Sequence, residues 1–152
     1  DGVPLRQLLG TMNGELKATL PSRLFCAAIA LELDRSRTRL TVFNLGMPDV
    51  QLLRASGELV PLRSRNLPLG IAPEVELECD QLPVEPGERV FAVSDGVVEC
   101  QSLGGEMFGV ERLREVLLRG PPERAFAALL EAMKSFSDDM QSDDVSILEV
   151  QV

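Results

Sequence analysis

The sequence predicts an α+β fold with antiparallel sheet, and three observations support this prediction. The length of 152 residues corresponds to one domain. Apolar residues recur at helical spacing near positions 4–20 and 110–133, whereas short apolar runs typical of strands lie between positions 24 and 62. These runs follow one another without intervening helices, which favours antiparallel pairing.

The first predicted helix runs from Pro4 to about Leu20, because apolar residues recur there every three or four positions. Pro21 ends this helix. The nearly continuous apolar run Leu24–Leu33 predicts a buried central strand. A short polar turn follows it, and Arg39–Leu45 is the second predicted strand.

A hairpin, a loop and an edge strand are predicted in the middle of the chain. Val50–Arg54 and Glu58–Leu62 are predicted strands joined by a turn at Ser56-Gly57. Arg65–Pro73 contains prolines and a glycine, which predicts a loop. The alternating residues of Glu76–Leu82 predict an edge strand.

The last third of the chain contains a buried strand, two helices and a final strand. Val90–Val93 is apolar and leads directly into Ser94, while Val145–Val152 is a strand that follows an acidic loop at Ser137–Asp144. The helices are indicated by apolar stripes at Val110, Leu113, Val116 and Leu117, and at Phe126, Leu129, Leu130 and Met133. This order predicts helices packed on sheet.

Charge and composition exclude several function classes. Fifteen Lys and Arg residues oppose 24 Asp and Glu residues, and the net charge of −9 disfavours nucleic acids and anionic membranes as partners. No run approaches about 18 apolar residues, so no membrane span is predicted. Three cysteines without a C-x-x-C pair predict a reducing, cytoplasmic location.

The absence of histidine restricts the chemistry further. A chain without histidine has no Ser-His-Asp triad, no histidine phosphorelay and no His-ligated metal. Carboxylates remain as the chemically active groups. Any bound metal should therefore be a hard ion such as Mg²⁺ or Mn²⁺.

Two carboxylate-bearing segments are candidates for a metal site. Asp95 and Gly96 follow the buried strand Val90–Val93, and Gly96 is a candidate binding residue because it has no Cβ to block a ligand. Asp143 and Asp144 precede the final strand, and aspartates on adjacent strands could share one divalent cation. From spacing alone, turns and solvated caps are the commoner explanation of both segments.

Five short motifs occur in order along the chain. They are Leu67–Ile71 (LPLGI), Val84–Arg89 (VEPGER), Val93–Glu99 (VSDGVVE), Gly105–Gly109 (GEMFG) and Gln141–Ser146 (QSDDVS). Their order and spacing, from about Leu5 to Val152, resemble the SpoIIE/RsbU class of PPM (PP2C-type) protein phosphatases. Each motif is short, but five in this order form a specific signal.

The resemblance implies an α-β-β-α sandwich with antiparallel sheets and a dinuclear Mn²⁺ or Mg²⁺ centre. In this family a metal-bridging water attacks phosphoserine or phosphothreonine directly, without a phosphoenzyme. By match to the motifs, Asp95, Asp143 and Asp144 are the implied metal ligands.

The resemblance also implies partners. Substrates in this class are usually anti-sigma-factor antagonists in partner-switching control. The stretch around Arg54–Gly70 is most similar to members fused to a response-regulator receiver domain, the RssB type. The implied function is therefore a phosphatase-type output domain in bacterial two-component signalling.

Two departures from the family pattern bear on activity. Motifs resembling G-D-x-x-D and A-D-V-S-G-H-G, which carry further metal aspartates, are absent. We therefore expect residues 1–152 to be one phosphatase-type domain that lacks its N-terminal strands, holds an incomplete and inactive metal site, and exposes a sheet edge that favours a homodimer. The family's N-A-G-H turn is Asn44-Leu45-Gly46-Met47 here, so Met47 replaces the histidine.

These observations leave two functional hypotheses and one neutral alternative. In the first, the parent protein is a metal-dependent serine/threonine phosphatase that uses Asp95 and Asp143. In the second, the domain is a degenerate phosphatase that acts as an adaptor for a sigma factor or its antagonist, as Met47 suggests. The neutral alternative, an α+β domain with solvated turns, does not explain the order of the motifs.

Overall fold

The structure, a computed structural model, describes residues 2–137 and 144–152. Every predicted helix and strand is present, with shifts of a few residues at the ends. In chain order the elements are α1 (Leu5–Thr19), β1 (Ala28–Leu33), β2 (Arg39–Leu45), β3 (Val50–Leu53), β4 (Leu59–Leu62), β5 (Asp80–Pro83), β6 (Arg89–Val93), α2 (Asp95–Val98), α3 (Gly109–Leu117), α4 (Ala125–Phe136) and β7 (Ile147–Gln151). None of the helices in this part of the chain is long and apolar enough to cross a bilayer.

The chain divides into two compact units, and each contains one sheet. Asp1–Met47 and Leu62–Val84 form the first unit, and Pro48–Pro61 and Glu85–Val152 form the second. Strands β1 and β2, β2 and β5, β3 and β6, and β6 and β7 all pair antiparallel. The predicted α+β class with antiparallel sheets is confirmed. That residues 1–152 form one domain, and that a sheet edge pairs with a second copy, remain predictions.

The first unit is built on a three-stranded sheet in the order β1-β2-β5. Helix α1 contributes Leu9, which is buried against Phe43 and Leu45 of β2. The helix ends where predicted, because Leu20 precedes Pro21 and takes an extended conformation that the proline ring favours. Leu5, Leu9 and Leu16 of the predicted apolar stripe therefore pack in this cluster, whereas Leu8 and Met12 are exposed.

The prediction of a buried central strand over Leu24–Leu33 is wrong in two respects. The strand begins only at Ala28, and β1 lies at the edge of its sheet in the described part of the chain. The first two side chains of the run are 56% and 58% exposed. Cys26 instead forms an isolated bridge with Leu69, whose carbonyl accepts the Cys26 N–H at 2.9 Å. An apolar run does not by itself distinguish a central strand from an edge strand.

The turn between β1 and β2 is organised by the carboxylate of Asp34. Its Oδ1 accepts the backbone N–H groups of Thr38 (2.7 Å) and Arg39 (2.9 Å). Its Oδ2 accepts the hydroxyl groups of Ser36 and Thr38. These hydrogen bonds, above all the one from Ser36, hold the pKa of the Asp34 carboxyl at about 2, below its usual value of 3.8.

The second unit places β6 inside a four-stranded sheet in the order β4-β3-β6-β7. All five residues of β6 are buried, as predicted. The hairpin predicted at Ser56-Gly57 is present, and Gly57 has the positive φ of 86° that favours glycine. Helices α3 and α4 pack on the sheet through a cluster that includes Leu53, Phe91, Val93, Leu113, Val116, Leu117, Leu129 and Met133.

Replacing Leu129 by alanine tests the core of the second unit. Leu129 is fully buried, so Leu129→Ala leaves a cavity that should lower the free energy of unfolding by about 2–5 kcal/mol. The control is Leu118→Ala, where the side chain is 49% exposed and the expected loss is below about 1 kcal/mol. Urea unfolding followed by far-UV circular dichroism measures both, and equal losses would contradict this assignment of the core.

The lowered pKa of Asp34 predicts a pH-dependent contribution to stability. Because this pKa is lower in the folded chain, the ionised carboxyl stabilises the fold above the unfolded pKa of about 4. The contribution is lost as the pH falls through about 2. We expect Asp34→Asn to lower the urea midpoint near neutral pH, and the difference from wild type to shrink between about pH 4 and pH 2. A difference that does not change over this range would show that the charge of Asp34 has no such role.

Candidate functional site

Two strands of the second unit bring the candidate segments together at one end of their sheet. Strands β6 and β7 are antiparallel, with Val93 opposite Ile147. The residues that follow Val93 therefore lie beside those that precede Ile147. This places Ser94–Gly96 next to Asp144–Ser146, and these two segments are called the β6–β7 junction below.

The side chain of Ser94 links the two segments of the junction. Its Oγ donates a hydrogen bond to the carbonyl of Asp144 (3.1 Å) and accepts one from the N–H of Ser146 (2.9 Å). The N–H of Ser94 also donates to the carbonyl of Ser146 (3.0 Å). A hydroxyl has one donor and two acceptor positions, so one side chain satisfies two backbone groups of the facing segment.

Gly96 allows the two segments to approach this closely. A Cβ atom on Gly96 would lie 2.5 Å from the carbonyl oxygen of Asp144, a separation that side chains do not tolerate. The sequence pattern predicts that Gly96 leaves space for a ligand. In the structure the approaching atom is a backbone oxygen of the same chain.

Asp95 is the first residue of α2, and its side chain is exposed. Its Oδ1 accepts the N–H of Gly96 (3.0 Å), and its carbonyl accepts the N–H of Glu99 (2.8 Å). Within the described residues, Oδ2 has no hydrogen bond or ion pair. One carboxylate oxygen of Asp95 is thus oriented by the backbone while the other is open to a ligand.

The second segment supplies Asp144, which is also exposed. Asp143, the other predicted ligand in this segment, lies outside the described residues. Across residues 2–137 and 144–152, no three acidic or cysteine side chains are grouped so that they could hold a metal ion. The described part of the junction therefore offers two carboxylates, Asp95 and Asp144.

A further carboxylate at the same end of the sheet, Asp49, is not singled out by the sequence pattern. Strand β3 pairs with β6 so that Gln51 faces Phe91, and continuing that register places Asp49 level with Val93. Its Oδ2 lies 3.4 Å from a guanidinium nitrogen of Arg114, which partly neutralises its charge. Asp49 is recognised as part of this end of the sheet only from the register between β3 and β6. The sequence of a single strand does not show that register.

The Asn44–Met47 turn of the first unit keeps its geometry without a histidine. The Asn44 side-chain oxygen accepts the Met47 N–H (3.0 Å), and Ser64 Oγ accepts the Gly46 N–H (2.9 Å). Gly46 has a φ of 86°, and a Cβ there would lie 2.5 Å from the ring of Pro68. The turn thus depends on the asparagine and the glycine, which match the family pattern, and not on the fourth residue.

The donor atoms of the junction fit a hard divalent cation. Mg²⁺ and Mn²⁺ prefer carboxylate and carbonyl oxygens, and Mg²⁺ usually keeps several water molecules. Asp95 and Asp144 offer such oxygens at the surface, in a chain without histidine. Two carboxylates fill only part of a coordination sphere, so further ligands would be water or acids outside the described residues.

The architecture is that of a PP2C-type phosphatase domain. It matches the PP2C phosphatase domain of SpoIIE from Bacillus subtilis with a TM-score of 0.82 at 17% identity, over 99% of this chain and 45% of that one. The catalytic domain of the serine/threonine phosphatase PstP, solved with two manganese ions, matches with a TM-score of 0.68 at 18% identity. That match covers 99% of this chain and 73% of the PstP chain.

The family is shown by the sequence as well. The family described as Stage II sporulation protein E (SpoIIE) matches residues 1–152, and this chain belongs to it. Phosphoserine phosphatase RsbP of Bacillus subtilis is 30% identical over 78 residues, which is 51% of this chain. Protein IcfG of Synechocystis sp. is 28% identical over 126 residues, which is 78% of this chain. The matched region spans only 19% of each of these two relatives.

A side chain at position 96 is expected to open the junction. In Gly96→Ala the added methyl group meets the Asp144 carbonyl, so the backbone must shift and the free energy of unfolding should fall by about 1–3 kcal/mol. Thermal unfolding measures this loss, and the amide chemical shift of Ser146 reports on the junction itself.

The matched control for that change is Gly10→Ala. Gly10 lies in α1, and no heavy atom lies within 4 Å of the added Cβ. Alanine there should stabilise the chain by about 0.5–1 kcal/mol, because glycine is unfavourable inside a helix. A Gly96→Ala protein as stable as wild type, with an unshifted Ser146 amide, would contradict the close approach.

Proposed function

We propose that this chain contributes metal-binding carboxylates to a metal-dependent phosphatase that hydrolyses phosphoserine or phosphothreonine in a protein substrate. Asp95, Asp143 and Asp144 are the proposed ligands, and Mn²⁺ or Mg²⁺ is the proposed metal. The observation that carries the proposal is the hydroxyl of Ser94, which binds the segment of Asp95 to the segment of Asp144. A hydrophobic core does not require two exposed aspartates to be held at one place.

The side chains of the junction have distinct roles in this proposal. A bound divalent cation lowers the pKa of its water and supplies a nucleophile near neutral pH. The N–H of Gly96 orients the Asp95 carboxylate through Oδ1 and leaves Oδ2 for the cation. Ser94 is proposed as a positioning residue, because its hydroxyl binds the backbone of Asp144 and Ser146. In a chain without histidine, carboxylates and water are the groups available to accept a proton.

The proposed protein substrate is an anti-sigma-factor antagonist, and the proposed protein is a cytoplasmic bacterial signalling regulator with a receiver domain. RsbP, a relative of this chain, is named a phosphoserine phosphatase, which supports phosphoserine as the group that is hydrolysed. The similarity of Arg54–Gly70 to receiver-fused members supports the fusion. The three free cysteines fit a reducing compartment.

A degenerate phosphatase that acts as an adaptor for a sigma factor or its antagonist is the second candidate. Met47 favours it, because a thioether is a soft ligand that neither transfers protons nor prefers Mg²⁺ or Mn²⁺. The side-chain chemistry of the histidine that the family has at this position is therefore absent from this turn. In this candidate the fold is retained for a binding surface and the carboxylates of the junction have no metal to hold.

Mn²⁺ binding to this chain, measured by calorimetry, tests the first candidate. Asp95→Asn keeps the shape of the side chain and removes its charge, so the affinity for Mn²⁺ should fall at least tenfold, about the effect of losing even an outer-shell group. Glu99→Gln is the matched control, since it neutralises another exposed carboxylate at the end of α2 and should leave the affinity within about twofold.

Turnover of p-nitrophenyl phosphate by the full-length product of the gene is measured in parallel with the same variants. We expect no efficient turnover by residues 1–152 alone, because the sequence lacks the motifs that carry the family's further metal aspartates. Mn²⁺ binding that is lost in Asp95→Asn, together with turnover by the full-length wild type, would support the phosphatase. A wild type that neither binds Mn²⁺ nor turns over the substrate would overturn it and favour the adaptor.

A further inference from the structure

The β1–β2 turn of the first unit carries three arginines against one carboxylate, that of Asp34, and the proposed phosphatase chemistry uses none of these side chains. Arg35, Arg37 and Arg39 lie within five consecutive residues, and all three are exposed. The chain as a whole has a net charge of −9, so this turn opposes the charge of the molecule. Within the described residues, none of these three guanidinium groups forms an ion pair.

One of these arginines occupies a backbone conformation that arginine rarely adopts. Arg37 has a φ of 56°, and among the described residues it is the one non-glycine residue with a positive φ. Glycine or asparagine is the usual residue in this conformation, because a Cβ atom is crowded there. Backbone strain of this kind is concentrated at functional positions. Arginine therefore occupies a position of the turn at which glycine would be the more favourable residue.

Hydrogen bonds organise the backbone of the turn in the absence of a partner. Asp34 accepts hydrogen bonds from the backbone of Thr38 and Arg39, and its carbonyl accepts the N–H of Arg37 (2.9 Å). The backbone N–H groups of Arg37 and Arg39 are thus held by Asp34, so binding would mainly have to order the arginine side chains. Preorganisation of this kind lowers the entropic cost of association.

A groove of about 390 Å³ lies beside the turn, where β2 meets β5. Arg39 of β2 pairs with Pro83 of β5 at this place. The acidic residue of β5, Asp80, forms an ion pair with Arg65 at 2.9 Å and so does not neutralise the turn. The groove offers a guanidinium, a hydroxyl, an amide and two apolar side chains, and its lining residues are Thr38, Arg39, Gln81, Leu82 and Pro83.

We propose that the β1–β2 turn and this groove form a docking surface for an acidic segment of a partner protein. The carboxylates of that segment pair with Arg35, Arg37 and Arg39, because a guanidinium fork matches a carboxylate in two parallel hydrogen bonds. The negative charge of the rest of the chain repels an acidic partner and confines it to this surface. The proposal does not depend on phosphatase activity.

The test measures binding of a fluorescein-labelled hexaglutamate peptide by fluorescence anisotropy at low salt. The triple variant Arg35→Gln, Arg37→Gln, Arg39→Gln should bind about tenfold more weakly than wild type. Binding by wild type should also weaken as salt is added, because these charges are exposed.

The matched control removes the same number of charges elsewhere. In Arg23→Gln, Arg63→Gln, Arg119→Gln three other exposed arginines are neutralised, so the net charge of the control equals that of the first variant. Its affinity should stay well within twofold of that of wild type. An equal loss in both triple variants would overturn the proposal, because it would show that net charge alone drives binding.

A single variant separates folding from binding. Arg37→Gly suits the positive φ, so it should raise the urea midpoint while it weakens peptide binding about twofold. Unchanged peptide binding in Arg37→Gly, or no peptide binding by wild type, would overturn the proposal. Tighter binding of a labelled single-stranded oligothymidine than of the peptide would also overturn it, because the surface would then favour nucleic acid.

Discussion

Past the Val93–Ile147 pair, the hydrogen bonding between β6 and β7 includes a side chain. The Ser94 hydroxyl donates to the carbonyl of Asp144 and accepts from the N–H of Ser146. Without that hydroxyl, two backbone groups near the end of the sheet would need other partners, and unpaired backbone groups are costly. The close approach of the candidate ligand-bearing segments therefore depends on this hydroxyl together with the backbone hydrogen bond from Ser94 to Ser146.

The three residues of the S-D-G motif have different roles in the β6–β7 junction. Ser94 supplies attraction between the segments, Asp95 supplies an exposed charge, and Gly96 supplies the space that the facing carbonyl needs. All three follow a strand that is buried along its whole length and covered by α3 and α4. A site carried at the end of such a strand is held more accurately than one carried by a free loop.

Local patterns predicted most of the fold because most elements have local causes. Helix α1 ends at Thr19 because Pro21 favours an extended Leu20, and β6 is recognisable because an apolar run is followed at once by Ser94-Asp95-Gly96. The failures concern pairing between distant residues. Leu24–Leu33 is apolar except at Glu32, yet only the pairing of β1 within its sheet shows that it is an edge strand. Asp49 is placed at the end of the sheet that carries the site only by the register between β3 and β6. The role of Asp143 remains a prediction.

The bonds of Ser94 join residues 50 and 52 positions apart in the sequence, with α3 and α4 in the intervening chain. Contacts of this range carry an entropic cost, because the loop between them must be closed when they form. A cation shared by the two segments would act as a removable cross-link across that loop. Metal occupancy and the cooperativity of unfolding in the second unit would then be coupled properties of the same strand pair.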